Sequence, residues 1–266
     1  MIDGSVDEGS VPSNLPSGIR LRGVIATGGS SVLWRARDRR GGRDVAVKVL
    51  RLPHDAEGRE RVVARFSHEM RALARLSHVP TVLDVRSAGS DSRTCWLVTA
   101  LATGDLLSAA PLATEDLLVV AGATADALAA AHRLDVVHGD VTPANVVWVD
   151  EAPVLADFGL AVLQADSSPV ADRGATPGWA APERWEHPMP TPASDVYGWG
   201  ATIWTAATGE RPSGRGLLDV TALPRGLDRM VAQACEPQPD DRPSAVDLAA
   251  AVAAERRRRD RYCPDP

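Results

Sequence analysis

Lysine is nearly missing from this chain: of its 29 basic residues, all but Lys48 are arginine. Cysteine is scarce too, with three residues, Cys95, Cys235 and Cys263. They are odd in number and far apart, which argues against a disulfide framework or a clustered metal site, and makes a reducing cytoplasm the expected compartment. Aromatics amount to 4%, most of them tryptophan. No apolar run reaches the roughly 18 residues of a membrane helix. The first residues, MIDGSVDEGS, lack a signal-peptide pattern. A basic excess is absent as well, and a net charge of −6 gives no general attraction to nucleic acid. The arginine run at 256–259 reads as a solvated helix end.

What is present is an ordinary globular composition, 44% hydrophobic and 24% charged over 266 residues, enough for a large core. Residues 1–17, rich in Gly, Ser, Pro and acid, are predicted to be a disordered tail. Strands are predicted at 20–21, 32–36 and 45–50, then near 82–85 and 96–99. A helix is predicted over 59–76, where Val62, Phe66, Met70 and Leu73 recur at helical spacing. Further helices are predicted over 115–132, 193–208, 227–234 and 244–257. A strand-rich part thus precedes a helical part, with no internal repeat.

The stretch HGDVTPANVVWVDEAPVLADFG, residues 138–159, carries most of the chemistry. A polar loop from Asp140 to Asn145 leads into an apolar strand, Val146-Val147-Trp148-Val149. A turn over Asp150-Glu151-Ala152-Pro153 leads to a second strand, closed by Asp157-Phe158-Gly159. Strand ends hold side chains rigidly. Two acidic or amide oxygens among Asp140, Asn145 and Asp157 can grip a hard cation, and the remaining Asp can receive a proton. A hairpin with polar ends by chance is the plain alternative.

These residues resemble the catalytic loop and metal-binding D-F-G of the eukaryotic-like protein kinases, in particular the bacterial Ser/Thr branch. The pattern H-R-D-L-x-x-x-N reads here as His138-Gly139-Asp140-Val141, then Asn145. Lys48 lies in Val45-Ala46-Val47-Lys48, sharing a strand face with Ala46. The resemblance makes it the ammonium that holds the α/β-phosphates, a task that suits a compact charge better than a planar guanidinium. It pairs Lys48 with Glu69, an acid on the apolar face of the helix that needs a partner. A surface pair with Arg65 is the alternative. Thr99 stands at the gatekeeper position, and Leu101-Ala102-Thr103-Gly104 resembles the hinge between lobes. Ala181-Pro182-Glu183 resembles the A-P-E motif, with Arg242 the implied partner of Glu183. Asp195, in Ser194-Asp195-Val196-Tyr197-Gly198-Trp199-Gly200, would brace the catalytic loop, and Thr176 would bond the catalytic Asp. Single motifs are weakly specific, but these occur in the family's order along the chain.

The resemblance implies an α+β bilobal fold with a kinase domain at 18–253, an N-lobe at 18–101 and a C-lobe at 104–253, followed by a basic tail at 254–266. It implies ATP and Mg²⁺, with Mn²⁺ as an alternative, between the lobes. Asn145 and Asp157 would hold the metal. Ala26, Gly28, Gly29 and Ser31 would cover the phosphates, and Leu33, Ala46, Thr99, Leu101 and Val147 would surround the adenine. Asp140 would orient the acceptor hydroxyl of a protein substrate. A homodimer remains open.

Departures from the pattern are specific. Only Gly28 of the three loop glycines is kept, with Ala26 and Ser31 in place of the others. Thr142 replaces the usual lysine. The region 212–224 is short, so a helix that often docks substrates is reduced. Gly139 replaces the arginine that commonly receives an activation-loop phosphate, as in non-RD kinases. Loop phosphorylation at Ser167 or Ser168 is therefore not expected to be an obligatory switch, although Arg173 is a candidate substitute cation. Two other readings stand beside an active kinase. One is a pseudokinase that binds nucleotide as a scaffold. The other is a small-molecule phosphotransferase resembling the aminoglycoside kinases, which also favour His-Gly-Asp but lack the A-P-E segment.

Overall fold

A computed structural model of the chain describes residues 11–158, 162–163, 176–213 and 218–262. Gly159, Ser167, Ser168, Arg173 and Cys263 lie outside the described residues. The chain divides into two compact units. One takes the residues up to Ser77 with Leu83–Ala102, the other His78–Val82 and the chain from Thr103 onward.

In the first unit β1 (Ile19–Thr27), β2 (Ser31–Asp38), β3 (Arg43–Arg51), β4 (Val85–Ser90) and β5 (Thr94–Ala100) form an antiparallel sheet in the order β1-β2-β3-β5-β4. Strict alternation in β3 sets its two faces. Val45, Val47 and Val49 are fully buried with Val32, Trp34, Ala36, Trp96 and Val98. Each such valine stabilises by about 1.5–3 kcal/mol. On the other face, α1 (Ala56–Arg75) lays Phe66 and half-buried Met70 against Cys95, Leu97 and Leu50. Asp55 caps α1, its carboxylate accepting from the Gly58 N–H at 2.6 Å.

Two expectations fail here. The strand predicted at 82–85 lies at Val85–Ser90 instead. Its sequence, VRSAGS, has almost no apolar signal, and pairing with the fully buried β5 creates it. Gly89 is needed there, because a Cβ would come within 2.5 Å of the Trp96 ring. Val82 forms a parallel bridge with Leu155 in the second unit. Residues 11–17 of the predicted tail are docked on the sheet: Asn14 accepts from Trp96 Nε1 and donates to the Ser90 carbonyl, both at 2.7 Å. Ser13 donates its N–H and hydroxyl to Asp91 at 2.8 Å each. Polar side chains that suggested disorder are here hydrogen-bond partners for a strand edge.

The second unit contains β6 (Gly104–Asp105), α2 (Leu106–Ala109), α3 (Thr114–Arg133), β7 (Val136–Val137), β8 (Val146–Val149), β9 (Ala152–Leu155), β10 (Val162–Leu163), α4 (Pro192–Thr208), α5 (Leu227–Ala234) and α6 (Ala245–Tyr262). Helix α3 buries residues around most of its circumference, Leu117, Leu118, Val120 and Leu128 among them, and packs against α4 and α6. Gly200 lets α4 and α5 close, since a Cβ there would lie 2.6 Å from Cys235 Sγ. Burial pushes the Cys235 thiol up to about 12 and raises that of Cys95, which marks both as packing residues. A strand-rich unit followed by a helical one is the α+β plan that the motifs imply.

The β8–β9 turn is tighter than the four residues predicted. Val149 pairs with Ala152, leaving Asp150 and Glu151 with φ of 48° and 66°. Two successive left-handed residues match the twist of a two-residue hairpin. The predicted basic tail is also corrected: α6 continues to Tyr262. Arg258 and Arg259 turn back onto Glu255, at 2.7 and 2.9 Å, and Arg259 also reaches the Arg225 carbonyl at 3.1 Å.

Candidate functional site

Asp195 organises the loop that carries Asp140. Helix α4 starts with a reciprocal capping box between Thr191 and Ser194 and with Pro192 in its first turn, so the position of Asp195 is fixed by backbone geometry. The Asp195 carboxylate is 1% exposed. Its Oδ1 accepts from the Gly139 N–H at 2.8 Å. Its Oδ2 accepts from the His138 N–H at 2.8 Å and from His132 Nε2 at 2.9 Å. Gly198, one turn further, allows α4 to meet the loop, since a Cβ would lie 3.0 Å from Val141 Cβ.

His138 ties this loop to the strand leading to Asp157. The Asp140 N–H donates to His138 Nδ1 at 3.2 Å, so Nε2 carries the proton and donates to the Ala156 carbonyl at 3.0 Å. The ring is buried edge-on against Phe158, centroids 4.5 Å apart. Asn145 donates its amide to the Asp140 carbonyl at 2.8 Å and lies 3.4 Å from Asp140 Oδ2. The amide oxygen is therefore the Asn145 atom suited to a cation. Asp157 is exposed and sits at φ 59°, a left-handed conformation that Asp tolerates better than most residues.

A second segment closes on the same loop. Thr176 donates its hydroxyl to Asp140 Oδ1 at 2.7 Å. Trp179 donates to Thr205 Oγ1 at 3.1 Å, which anchors the segment to α4. Glu183 and Arg242 form a bidentate pair at 2.7 and 2.8 Å, with the arginine side chain fully buried. Arg242 also donates to the carbonyls of Glu236, Ala193 and Pro237. Arg184, 5% exposed, donates Nη1 to the Gly139 carbonyl at 3.2 Å. Gly139 itself sits at φ 84°, where a side chain would be strained.

In the first unit, register places Leu33 opposite Lys48 and Thr99 opposite Ala46, so these four share one face of the sheet, as does Ala26 opposite Leu33. Helix α1 packs on that face, and its Glu69 is 5% exposed among the packed residues. Lys48 and Glu69 each have an interaction partner. Gly28 and Gly29 form the β1–β2 turn, where the Gly28 N–H donates to the Ser31 carbonyl at 2.8 Å. Thr99 is buried and Leu101 half-buried at the end of this unit. In the second unit Val147 lies half-buried on β8, opposite Val154.

Hydrogen bonds join Asp140 to Asn145 and Thr176, and Asp157 follows the strand that His138 holds. Thr142, in the position of the usual lysine, is 4% exposed and supplies no charge. Sequence reasoning missed His132 and Arg184. An arginine in the last turns before a helix reads as surface. A histidine at the C-terminal end of a helix reads as a response to the helix dipole. Only the fold shows that Asp195 needs a third donor.

The family described as protein kinase domain matches residues 20–251. Serine/threonine-protein kinase PkaA of Streptomyces coelicolor is 34% identical over 267 residues, covering 86% of this chain and 48% of that protein. Serine/threonine-protein kinase PknA of Mycobacterium tuberculosis is 36% identical over 216 residues, covering 76% and 49%. Serine/threonine-protein kinase PknL of Mycobacterium bovis is 35% identical over 260 residues, covering 93% and 63%. The chain spans about half the length of the first two.

Proposed function

The chain belongs to the protein kinase domain family, and from that premise we propose that it transfers the γ-phosphoryl group of ATP to serine or threonine hydroxyls of protein substrates in the cytoplasm. The observation that carries the reading is the Asp140 cluster. A carboxylate is held between Thr176 and Asn145 on a loop whose backbone is braced by Asp195 and Arg184. Such rigidity has no evident use in a scaffold that only binds nucleotide. The A-P-E segment, with its buried Glu183–Arg242 pair, favours a protein substrate over a small molecule.

The donor set fits a divalent cation of the Mg²⁺ type. No group of three or more His, Cys, Asp or Glu that could cage a metal exists among the described residues. Asn145 and Asp157 would instead supply two oxygen donors, a number that suits a cation whose other partners are substrate phosphates and water. We assign the metal to these two residues, with Mg²⁺ preferred and Mn²⁺ able to substitute. The ion neutralises charge on the phosphates when bound.

The remaining roles fall to the chain's own groups. Lys48, oriented by Glu69, holds the α/β-phosphates. Gly28 and Gly29, flanked by Ala26 and Ser31, cover them, and Leu33, Ala46, Thr99, Leu101 and Val147 surround the adenine. Asp140 orients the acceptor hydroxyl and receives its proton. Positioning and charge stabilisation provide the rate, since phosphoryl transfer asks for little covalent chemistry from the protein.

No helix among the described residues is long and apolar enough to cross a membrane. The roles are tested with purified protein and labelled ATP. Lys48→Arg should lower transfer at least tenfold, about 1.4 kcal/mol of barrier. Asp157→Ala should abolish metal-dependent nucleotide binding. Asp140→Ala should keep that binding and stop turnover. Equal loss of binding in the two aspartate variants would refute the division of labour.

A further inference from the structure

Arg211 lies just beyond α4, after Gly209 ends the helix in a left-handed conformation at φ 75°. Its guanidinium stacks on the Trp179 ring, 4.9 Å from the centroid. One N–H donates to the Pro177 carbonyl at 2.9 Å. Between those two residues Gly178 takes φ 97°, and a Cβ there would stand 3.1 Å from the Pro212 carbonyl and 3.5 Å from Arg211 Nε. The side chain is thus pinned by a ring and a carbonyl, yet it remains exposed. Among the described residues no carboxylate pairs with it. Its neighbour Glu210 is exposed and not within ion-pair distance.

A fixed guanidinium with no carboxylate partner among the described residues is unusual in a chain of net charge −6. Its place gives it meaning. Pro177, which it holds, directly follows Thr176, whose hydroxyl bonds Asp140. Only two consecutive residues, Pro177 and Thr176, therefore separate the Arg211 guanidinium from Asp140 along this chain of contacts. The N–H groups not used on Pro177 form a fork that matches a carboxylate. Because the fork is already held in place, little side-chain freedom is lost on pairing.

Resting on the assignment of Asp140 as the residue that orients the acceptor, we propose that Arg211 is a specificity-determining residue that selects acidic protein segments, with Asp or Glu two or three positions from the acceptor serine or threonine. A purely structural role, bracing Pro177 and Trp179, makes a different forecast. It would affect all substrates alike.

The test uses a serine peptide set that differs only in carrying Asp, Ala or Arg at each position within three of the acceptor. Wild type should show kcat/KM about five-fold higher for the best Asp peptide than for its Ala counterpart, with the ratio shrinking as salt is raised, as for a partly exposed ion pair. In Arg211→Gln the ratio should fall to about one, and in Arg211→Glu it should reverse toward the Arg peptide. Arg211→Lys should restore part of it. Equal turnover of Asp and Ala peptides by wild type would overturn the proposal. So would a ratio unchanged in Arg211→Gln, with all rates lowered together. The same peptides are titrated by fluorescence anisotropy. If nothing is phosphorylated but acidic peptides bind in an Arg211-dependent way, the kinase reading fails and the assignment of Arg211 stands. Binding that ignores peptide charge overturns that assignment.

Discussion

Asp195→Asn changes one oxygen of a buried carboxylate into an NH₂ group, and no orientation of the amide suits the three donors around it. With its oxygen in the Oδ2 position it still accepts from His138 N–H and His132, but the NH₂ then faces the buried Gly139 N–H. The opposite orientation leaves two donors facing a donor. In the better arrangement one buried N–H loses its partner, at about 1–3 kcal/mol, and two charge-assisted bonds become neutral ones, at about 1 kcal/mol each. The expected loss is about 3–5 kcal/mol. That is a large part of the 5–15 kcal/mol typical of a folded domain, yet leaves the protein foldable. In urea denaturation the midpoint should drop at unchanged slope. Amide exchange should accelerate at His138 and Gly139. Because the same bonds set the position of Asp140, kcat should fall about 100-fold, the effect of a misplacement near 1 Å. A variant within about 0.5 kcal/mol of wild type, with normal turnover, would refute the idea that Asp195 holds the loop.

Two further outcomes are expected. Arg242→Ala leaves Glu183 without its bidentate partner and removes a fully buried guanidinium, so it should destabilise by about 3–5 kcal/mol; thermal unfolding of this variant beside Glu183→Gln and the double mutant gives the coupling. Burial works to raise the Asp91 carboxyl, but the N–H groups of Ser13, Arg93 and Thr94 and the Ser13 hydroxyl outweigh it and hold it well below its ordinary 3.8. A depressed carboxyl contributes stability that is complete above its unfolded value and is lost as pH falls through the lower folded one. Thermal scans should therefore show wild type losing more stability below about pH 4 than Asp91→Asn, and parallel acid limbs would contradict the assignment.

Much of the fold and of the site can be read along the chain because it depends on near neighbours. The Val45, Val47, Val49 alternation makes β3 and its two faces, and Ala46 and Lys48 share a face for the same reason. The order His138, Asp140, Asn145, Asp157, with Ala181-Pro182-Glu183 and Arg242 downstream, names a chemistry before any coordinate does. Helices α3, α4 and α5 begin and end within a residue of their predicted bounds, since periodicity and caps are local signals.

Tertiary structure decided what rests on distant partners. β4 is a strand because it pairs with the buried β5, where Gly89 leaves room for the Trp96 ring, not because VRSAGS favours one. Residues 13–14 are ordered by Ser90, Asp91 and Trp96, more than seventy positions away. The arginines are the clearest case. Written in sequence, Arg184, Arg211 and Arg242 are three members of an arginine-rich chain with nothing to tell them apart except the motif that singled out Arg242. Folded, one is buried under Gly139, one is stacked exposed on Trp179, and one is locked on Glu183. A guanidinium's role is set by the desolvation and the acceptors around it, and those come from segments that only folding brings near.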